Sequence, residues 1–265
     1  MSSRTGQSGV TAVQAAARHA ADRVEWFAEA LLRRARLLRE PKPKGVSGPP
    51  ARLLVAELGE LARRGRKTTV SPRAQCPRPV LLIPGFFAHP RRMRPLHEGL
   101  ASAGHRVEDW GLGFNLGPTP ENFRHLLHRV ETMAQRHGEP VALVGWSLGG
   151  LYAREIARRV PGRVSCVITL GSPFSGNMRA NNGWRAYQAI TGHSVDAPPV
   201  DCEFSGKPPV RTVALWSPRD GVVNPRSAAG WPGERDEAVS LRCTHLGFSH
   251  HPTVVAEVLR QLDLS

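Results

Sequence analysis

The fold is decided by one stretch of ten residues, Val141-Ala142-Leu143-Val144-Gly145-Trp146-Ser147-Leu148-Gly149-Gly150. The four aliphatic residues at its start suit a strand that is buried on both faces of a sheet. The small residues around Ser147 suit a tight bend from that strand into a helix, which the sequence favours as far as Val160. A Gly-x-Ser-x-Gly turn between a strand and a helix is typical of a serine hydroxyl that stands above the sheet. The stretch therefore predicts that Ser147 is a catalytic nucleophile.

Apolar runs of strand length alternate with helical segments on both sides of this turn. The predicted strands cover residues 80–83, 106–110, 141–144, 164–170, 211–217 and 238–242. The predicted helices cover residues 89–103, 121–136, 148–160 and 252–264. Because βαβ units have right-handed crossovers, this alternation predicts an α/β fold whose mainly parallel sheet carries helices on both faces. A chain of 265 residues is long enough for one such domain with an extension.

Residues 174–209 interrupt the alternation. They are rich in Gly, Asn and Pro and show no strong periodicity. A connection of this length inside a compact domain is usually functional or disordered, and we favour a lid over the site. We therefore place a catalytic domain at residues 76–265, with its lid at about 174–209, after an extension formed by residues 1–75.

The excess positive charge lies mainly in that extension. The whole chain has a formal charge of +14, and residues 1–75 contribute 15 Lys and Arg minus 6 Asp and Glu, which is +9. We interpret this charge as a solvated or surface-binding face, and we expect no specific nucleic-acid partner.

Two helices are predicted in the extension. Residues 11–40 place apolar side chains mostly three or four positions apart, with arginines on much of the remaining surface. Such a helix could lie on an anionic membrane, although docking on the catalytic domain or on a second copy of the chain is the favoured alternative. Residues 41–50, with four Pro and two Gly, form a linker, and residues 51–64 form a second short helix.

The expected location is the cytoplasm, either free or peripheral to a membrane. The first twenty residues lack the continuous apolar segment of a secretory signal, because Arg4, Gln14, Arg18 and His19 interrupt it. No run approaches the roughly 18 to 20 apolar residues that span a bilayer. The four cysteines show no metal-type spacing, so we expect neither a metal site nor a disulfide framework.

A serine hydroxyl is a weak nucleophile at neutral pH, so Ser147 needs a base and the base needs an acid to orient it. In sheets of this kind the acid and then the histidine follow the serine along the chain, each just after a strand. Asp220 follows the apolar run 213–216, whereas the other candidates have no strand directly before them or precede the serine. Asp220 is therefore the predicted acid.

The base is chosen from eleven histidines. His245 follows the predicted strand 238–242 and precedes the last helix, which is where a base reaches the serine from the carboxyl edge of the sheet. His250 and His251 lie closer to the helix and could cap or pack against its start. We therefore predict that His245 is the base.

Acyl transfer also needs hydrogen-bond donors for the oxyanion. The expected donors are the backbone N–H groups of Leu148, at the start of a helix, and of Phe86, in the loop after strand 80–83. The side chains of Phe87, Trp146 and Phe174 are expected to line the substrate pocket. Their apolar surface favours an acyl chain or another apolar ester over a polar substrate.

Six segments together resemble the bacterial esterase and lipase branch of the α/β-hydrolase superfamily. They are Pro84-Gly85-Phe86, Trp110-Gly111-Leu112-Gly113-Phe114-Asn115-Leu116-Gly117-Pro118, Gly145-Trp146-Ser147-Leu148-Gly149-Gly150, Ile168-Thr169-Leu170-Gly171-Ser172-Pro173-Phe174, Asp220-Gly221-Val222-Val223 and Thr244-His245-Leu246-Gly247. The resemblance covers about residues 80–264. It implies a Ser147, Asp220 and His245 triad without a metal or organic cofactor, although Pro84-Gly85 stands where many lipases have His-Gly.

The leading hypothesis is hydrolysis of a small-molecule or lipid carboxylic ester through an acyl-enzyme. Thioester hydrolysis or acyl transfer would use the same triad, and the sequence does not separate these reactions. A different class is a non-catalytic binding protein of the same fold, recruited by its basic N-terminal helices. Either protein could form a homo-oligomer.

Overall fold

Six parallel strands form one sheet in the computed structural model, which describes residues 6–62 and 72–265. The strands are β1 (Pro79–Ile83), β2 (Arg106–Asp109), β3 (Val141–Trp146), β4 (Val164–Leu170), β5 (Arg211–Trp216) and β6 (Glu237–Ser240). Their order across the sheet is β2-β1-β3-β4-β5-β6, and each strand is parallel to its neighbours. This arrangement confirms the predicted α/β class.

Helices cover both faces of the sheet. The α-helices of the described residues are α1 (Gly6–Arg39), α2 (Ala51–Ala62), α3 (Arg94–Ser102), α4 (Pro120–His137), α5 (Leu148–Arg159), α6 (Trp184–Thr191), α7 (Pro225–Ala229) and α8 (Pro252–Asp263). Successive side chains of a strand point to opposite faces, so Val80 and Leu82 pack in the core with α3 and α8. Leu81 and Ile83 pack in the second core with α4 and α5. Strand β3 is buried along its whole length because both faces are covered.

The helices that the sequence pattern does not predict lie in the irregular segments. Helix α6 falls within residues 174–209 and α7 within the loop after β5. Both have at most eight residues, which is too short to show a helical period. The predicted helix 89–103 is divided into a 3-10 turn, Pro90–Met93, and α3, because proline occurs at the start of both parts.

The two predicted N-terminal helices are present, and the structure shows what they contact. The C-terminal half of α1 lies on α6, where Arg34 Nε donates to the Ala189 oxygen at 3.1 Å and Gln188 Nε2 donates to the Leu37 oxygen at 2.8 Å. Residues 63–64 of the predicted second helix lie outside the described residues. Among the helices that are described, none has the length and apolar character needed to cross a membrane.

Candidate active site

Ser147 stands at the turn between β3 and α5. Its backbone has φ 54° and ψ −120°, a region that non-glycine residues rarely adopt. The turn lies close to the sheet, because the Ser147 N–H donates to the Leu170 oxygen at 2.8 Å. A Cβ at Gly145 would collide with the Gly149 oxygen, and a Cβ at Gly149 would collide with the Ile83 oxygen. The glycines around Ser147 are therefore required by the close approach of the strand, the turn and the helix.

Asp220 lies in the loop after β5 and is fully buried. Its Oδ1 accepts hydrogen bonds from the N–H groups of Val222 at 2.8 Å and Val223 at 2.7 Å. Its Oδ2 lies 2.8 Å from Nδ1 of His245, which is also buried. The carboxylate is thus held by its own loop and faces the imidazole, so that Nε2 is the ring nitrogen directed away from it.

The charges around His245 favour its protonated form. Burial lowers the pKa of the imidazole, but the charge of Asp220, the hydrogen bond to Asp220 and the charge of Glu57 together raise it above its ordinary value. An imidazole in this setting accepts a proton more readily than one in water.

A third carboxylate, from α2, contacts both of these loops. Glu57 Oε1 accepts from the N–H of Gly221 at 2.9 Å and from the N–H of His245 at 2.6 Å. Its Oε2 accepts from the N–H of Leu246 at 2.9 Å. Glu57 carries no signal of this role in the sequence, because a carboxylate in a short helix normally faces water and its partners lie more than 160 positions further along the chain.

A cavity of about 280 Å³ opens beside Ser147 and His245. Its lining includes Phe86, from the loop after β1, Trp146, at the end of β3, and Leu148, at the start of α5. The segment 174–209 contributes Trp184 and Tyr187, and the Tyr187 ring lies 5.4 Å from that of Phe86, centroid to centroid. The lining is mainly apolar.

Two of the three residues expected in the pocket lining lie elsewhere. Phe87 has φ 56° and is 61% exposed, with its ring turned toward that of Phe114 on the surface. Phe174 is buried beneath the Arg154 guanidinium, which lies 4.1 Å from the centroid of its ring. The structure places Trp146 in the lining, and it does not place Phe87 or Phe174 there.

The loop that contains Phe86 is held close to the serine. Asn115 is buried, and its Nδ2 donates to the Pro84 oxygen at 2.8 Å while its backbone oxygen accepts from the Phe87 N–H at 2.7 Å. A Cβ at Gly85 would lie 3.2 Å from the Ser147 Cβ, so the loop and the turn are in contact. Phe86 and Leu148 both line the cavity, and Leu148 is the first residue of α5, where the N–H is not used within the helix.

In residues 6–62 and 72–265, no group of three or more His, Cys, Asp or Glu residues could hold a metal ion.

The class of protein follows from the sheet, the serine turn and a comparison with protein families. A sequence profile of the alpha/beta hydrolase family matches residues 80–258, which is more than half of the chain. The chain therefore belongs to the alpha/beta hydrolase family, as the resemblance of its motifs implies.

One curated relative and several solved structures are similar to the chain. The relative is a pimeloyl-(acyl-carrier protein) methyl ester esterase of Aliivibrio salmonicida (strain LFI1238), which is 33% identical over 112 residues. This match spans 42% of the chain and only 41% of the relative. The curated relative therefore resembles the chain over about two fifths of its own length.

The solved structures show the same fold at low sequence identity. A structure from the lipolytic enzymes LipS and LipT, which derive from metagenomes, has a TM-score of 0.51 and 16% identity, and the match covers 73% of this chain and 96% of that one. The structure of the pyrethroid hydrolase PytH has a TM-score of 0.51 and 16% identity, and the match covers 72% of this chain and 98% of that one. The 2-hydroxy-6-oxo-6-phenylhexa-2,4-dienoate hydrolase of Rhodococcus sp. strain RHA1 has a TM-score of 0.52 and 15% identity, and the match covers 73% of this chain and 92% of that one.

Proposed function

We propose that the chain is a serine hydrolase of carboxylic esters, with Ser147 as nucleophile, His245 as base and Asp220 as the acid that orients the base. The proposal depends on one observation: Ser147 and His245 line the same apolar cavity, while His245 Nδ1 lies 2.8 Å from Asp220 Oδ2. A nucleophile, a base and an orienting carboxylate brought to one edge of a parallel sheet suit acyl transfer.

In the proposed reaction, Ser147 Oγ attacks the carbonyl carbon of the ester and its proton passes to His245 Nε2. The N–H groups of Phe86 and Leu148 stabilise the oxyanion, and the loss of one such donor costs about 3 to 4 kcal/mol in hydrolases. The protonated imidazole then gives its proton to the departing alcohol. Water, deprotonated by His245, attacks the acyl-enzyme and releases the carboxylic acid and the free serine.

The substrate we propose is an ester with an apolar acyl group, such as a short or medium acyl chain or a lipid ester. The support is the apolar lining of the cavity and the name of the curated relative, which describes an esterase of a methyl ester. Thioester hydrolysis and acyl transfer to an alcohol remain alternatives with the same three residues.

We also propose that residues 174–209 act as a lid. Trp184 and Tyr187, both on α6, form part of the cavity lining, so a movement of α6 would open or close the cavity. Helix α1 lies on the other side of α6 and is joined to it through Arg34 and Gln188. The position of the lid is therefore coupled to the N-terminal extension.

For the partners and the location, we propose a cytoplasmic protein whose helix α1 makes a peripheral contact with an anionic membrane. Val24, Phe27 and Leu31 are exposed on α1, and Arg33 and Arg36 are exposed beside them. Apolar side chains flanked by arginines suit the boundary between lipid headgroups and acyl chains. A second copy of the chain on the same face would give a homo-oligomer, and a measurement of mass in solution distinguishes the two.

The decisive experiment is covalent labelling with a fluorophosphonate, combined with turnover of p-nitrophenyl esters of graded chain length and of acyl thioesters. We expect the wild-type chain to be labelled and to hydrolyse the esters, and Ser147→Ala to lose both properties with its fold intact. Ser102→Ala is the matched control, because Ser102 is exposed on α3. A folded wild-type chain that resists the probe would instead support a non-catalytic binding protein.

A further inference from the structure

Helix α2 buries two charged side chains and exposes two apolar ones. Glu57 and Glu60 are buried, with 4% and 5% of their surface exposed, while Val55 and Leu58 are 67% and 65% exposed. A helix in contact with a protein core normally buries its apolar side chains and leaves its carboxylates in water. The interactions of the carboxylates must therefore stabilise this orientation.

Three backbone N–H groups surround the Glu57 carboxylate. They belong to Gly221, which follows the proposed acid, to His245 and to Leu246. A buried carboxylate is unfavourable unless hydrogen bonds replace its hydration, and charge-assisted bonds to backbone N–H groups are among the strong ones. One side chain thus binds the loop after β5 and the loop after β6 at the same time.

A second contact between α2 and the acid loop is independent of the carboxylate. A Cβ at Gly221 would lie 2.6 Å from the Leu53 carbonyl carbon and oxygen, so only glycine allows the helix backbone to approach this closely. Asn182 Nδ2 donates to the Gly221 oxygen at 2.8 Å and to the Pro49 oxygen at 3.0 Å, which joins the start of α2 to the same place. The helix is therefore packed into the base of the site.

We propose that Glu57 is a positioning residue of the hydrolase, which joins the Asp220 loop to the His245 loop and holds the acid and the base at their working distance. This inference rests on the proposed function, because it assigns Glu57 to the same triad. It extends the catalytic machinery to α2, a helix that lies outside residues 80–258, where the chain matches its family.

The charge of Glu57 has a second effect on the base. Burial lowers the pKa of His245, and the charge of Glu57 is one of the contributions that raise it, after the larger ones from Asp220. A neutral side chain at position 57 should therefore lower the pKa of the imidazole. If Glu57 had a merely structural role, its substitution would change the stability of the chain and leave the pKa of His245 unchanged.

The test compares Glu57→Gln, Glu57→Asp and Glu60→Gln in the full chain. Glu60 is the matched control, since it is an equally buried carboxylate on α2 that pairs with His250 Nε2 at 2.7 Å. Two readouts are needed: kcat and KM for a p-nitrophenyl ester as a function of pH, and the pKa of His245 from NMR titration in a Ser147→Ala background. The NMR readout does not depend on turnover.

For Glu57→Gln we expect a lower pKa of His245, an acidic limb of the kcat/KM profile moved to lower pH, and a kcat reduced on the order of tenfold to a hundredfold with little change in KM. Glu60→Gln should leave the pKa and the acidic limb unchanged. If Glu57→Gln lowers the melting temperature but leaves the pKa and kcat at their wild-type values, Glu57 is structural only and the proposal is wrong.

Glu57→Asp covers the case in which Glu57→Gln does not fold. It keeps the charge but is too short to reach both loops, so we expect a pKa of His245 near that of the wild type and a reduced kcat; an unchanged kcat would overturn the proposal. A wild-type chain that neither hydrolyses esters nor reacts with a fluorophosphonate would refute the proposed function. The NMR titration would then still decide whether Glu57 acts on His245.

Discussion

The indole Nε1 of Trp146 donates a hydrogen bond of 3.1 Å to the backbone oxygen of His245. Trp146 is the last residue of β3 and directly precedes Ser147, so this bond joins the strand of the proposed nucleophile to the loop of the proposed base. The two rings also lie 5.8 Å apart, centroid to centroid. Trp146 therefore holds His245 in addition to Asp220 and Glu57.

Trp146→Phe tests this connection, because it keeps a ring and removes the donor. The His245 oxygen keeps the hydrogen bond from the Phe248 N–H at 3.3 Å and loses the indole donor, so we expect a loss of stability of about 1 kcal/mol and a lower kcat. Trp110→Phe is the control: Trp110 is also buried and donates to the Gly113 oxygen at 2.8 Å, and it is not among the residues that line the cavity. Urea denaturation and ester turnover should show a similar loss of stability in both variants and a loss of kcat only in Trp146→Phe.

Asp220→Asn should leave the chain folded and nearly inactive. The new amide oxygen can still accept from Val222 and Val223, while its NH₂ group faces His245 Nδ1 and favours the wrong tautomer of the imidazole. In a serine triad this change lowers kcat by about 10⁴. Asp236→Asn removes an ion pair with Lys207 beside Thr212, at the amino end of β5, and should keep its turnover because Asp236 does not line the cavity. If Asp220→Asn turns over esters at the wild-type rate, another residue holds the acid role.

The pH dependence of activity follows from the raised pKa of His245. Only the neutral imidazole can accept the proton of Ser147, so kcat/KM should fall as the pH is lowered through that pKa, above the ordinary value of about 6.5. The effect on stability has the opposite sign: protonation of His245 in the folded chain stabilises it at low pH, and this contribution is lost as the pH rises through the raised pKa. In Asp220→Asn the pKa of His245, measured by NMR, should be lower than in the wild type. The variant still buries the imidazole, which lowers its pKa, but lacks the Asp220 charge that raises it. A pKa of His245 in the wild-type chain at or below 6.5 would contradict this prediction.

The sheet was predictable from the sequence because each strand carries its own signal. The apolar runs at β1, β3 and β4 and the glycine-flanked Ser147 are local patterns. Asp220 and His245 were selected by the order of serine, acid and histidine that is typical of this fold. Glu57 was not predictable in this way, because the groups that bind it lie in loops more than 160 positions away. The sequence also did not reveal that Phe87 adopts φ 56° and points to the surface, since only the turn geometry decides that.

Asn115→Ala tests whether the loop of Phe86 supplies an oxyanion donor. The change removes the hydrogen bond to the Pro84 oxygen and frees the loop beside Ser147, so we expect kcat to fall on the order of tenfold to a hundredfold with little change in KM. Asn122→Ala is the control, because the Asn122 amide makes only a 3.4 Å contact with the Gly117 oxygen. Equal kcat values for the two variants would contradict the expected role of the loop.

The exposed face of α1 makes a prediction about membranes. A variant with serine at Val24, Phe27 and Leu31 removes the apolar side chains of this face, all more than half exposed, without touching the Arg34 contact to α6. Because the proposed contact combines apolar insertion with the attraction of arginines to lipid charge, the wild-type chain should sediment with anionic vesicles at low salt and less at high salt. The variant should remain in the supernatant while its turnover of soluble esters is unchanged.

Val55→Ser, which changes an exposed apolar residue on α2, is the control and should bind vesicles as the wild type does. If the wild-type chain does not bind vesicles, and the variant instead lowers the molecular mass in solution, then the face is covered by a second copy of the chain.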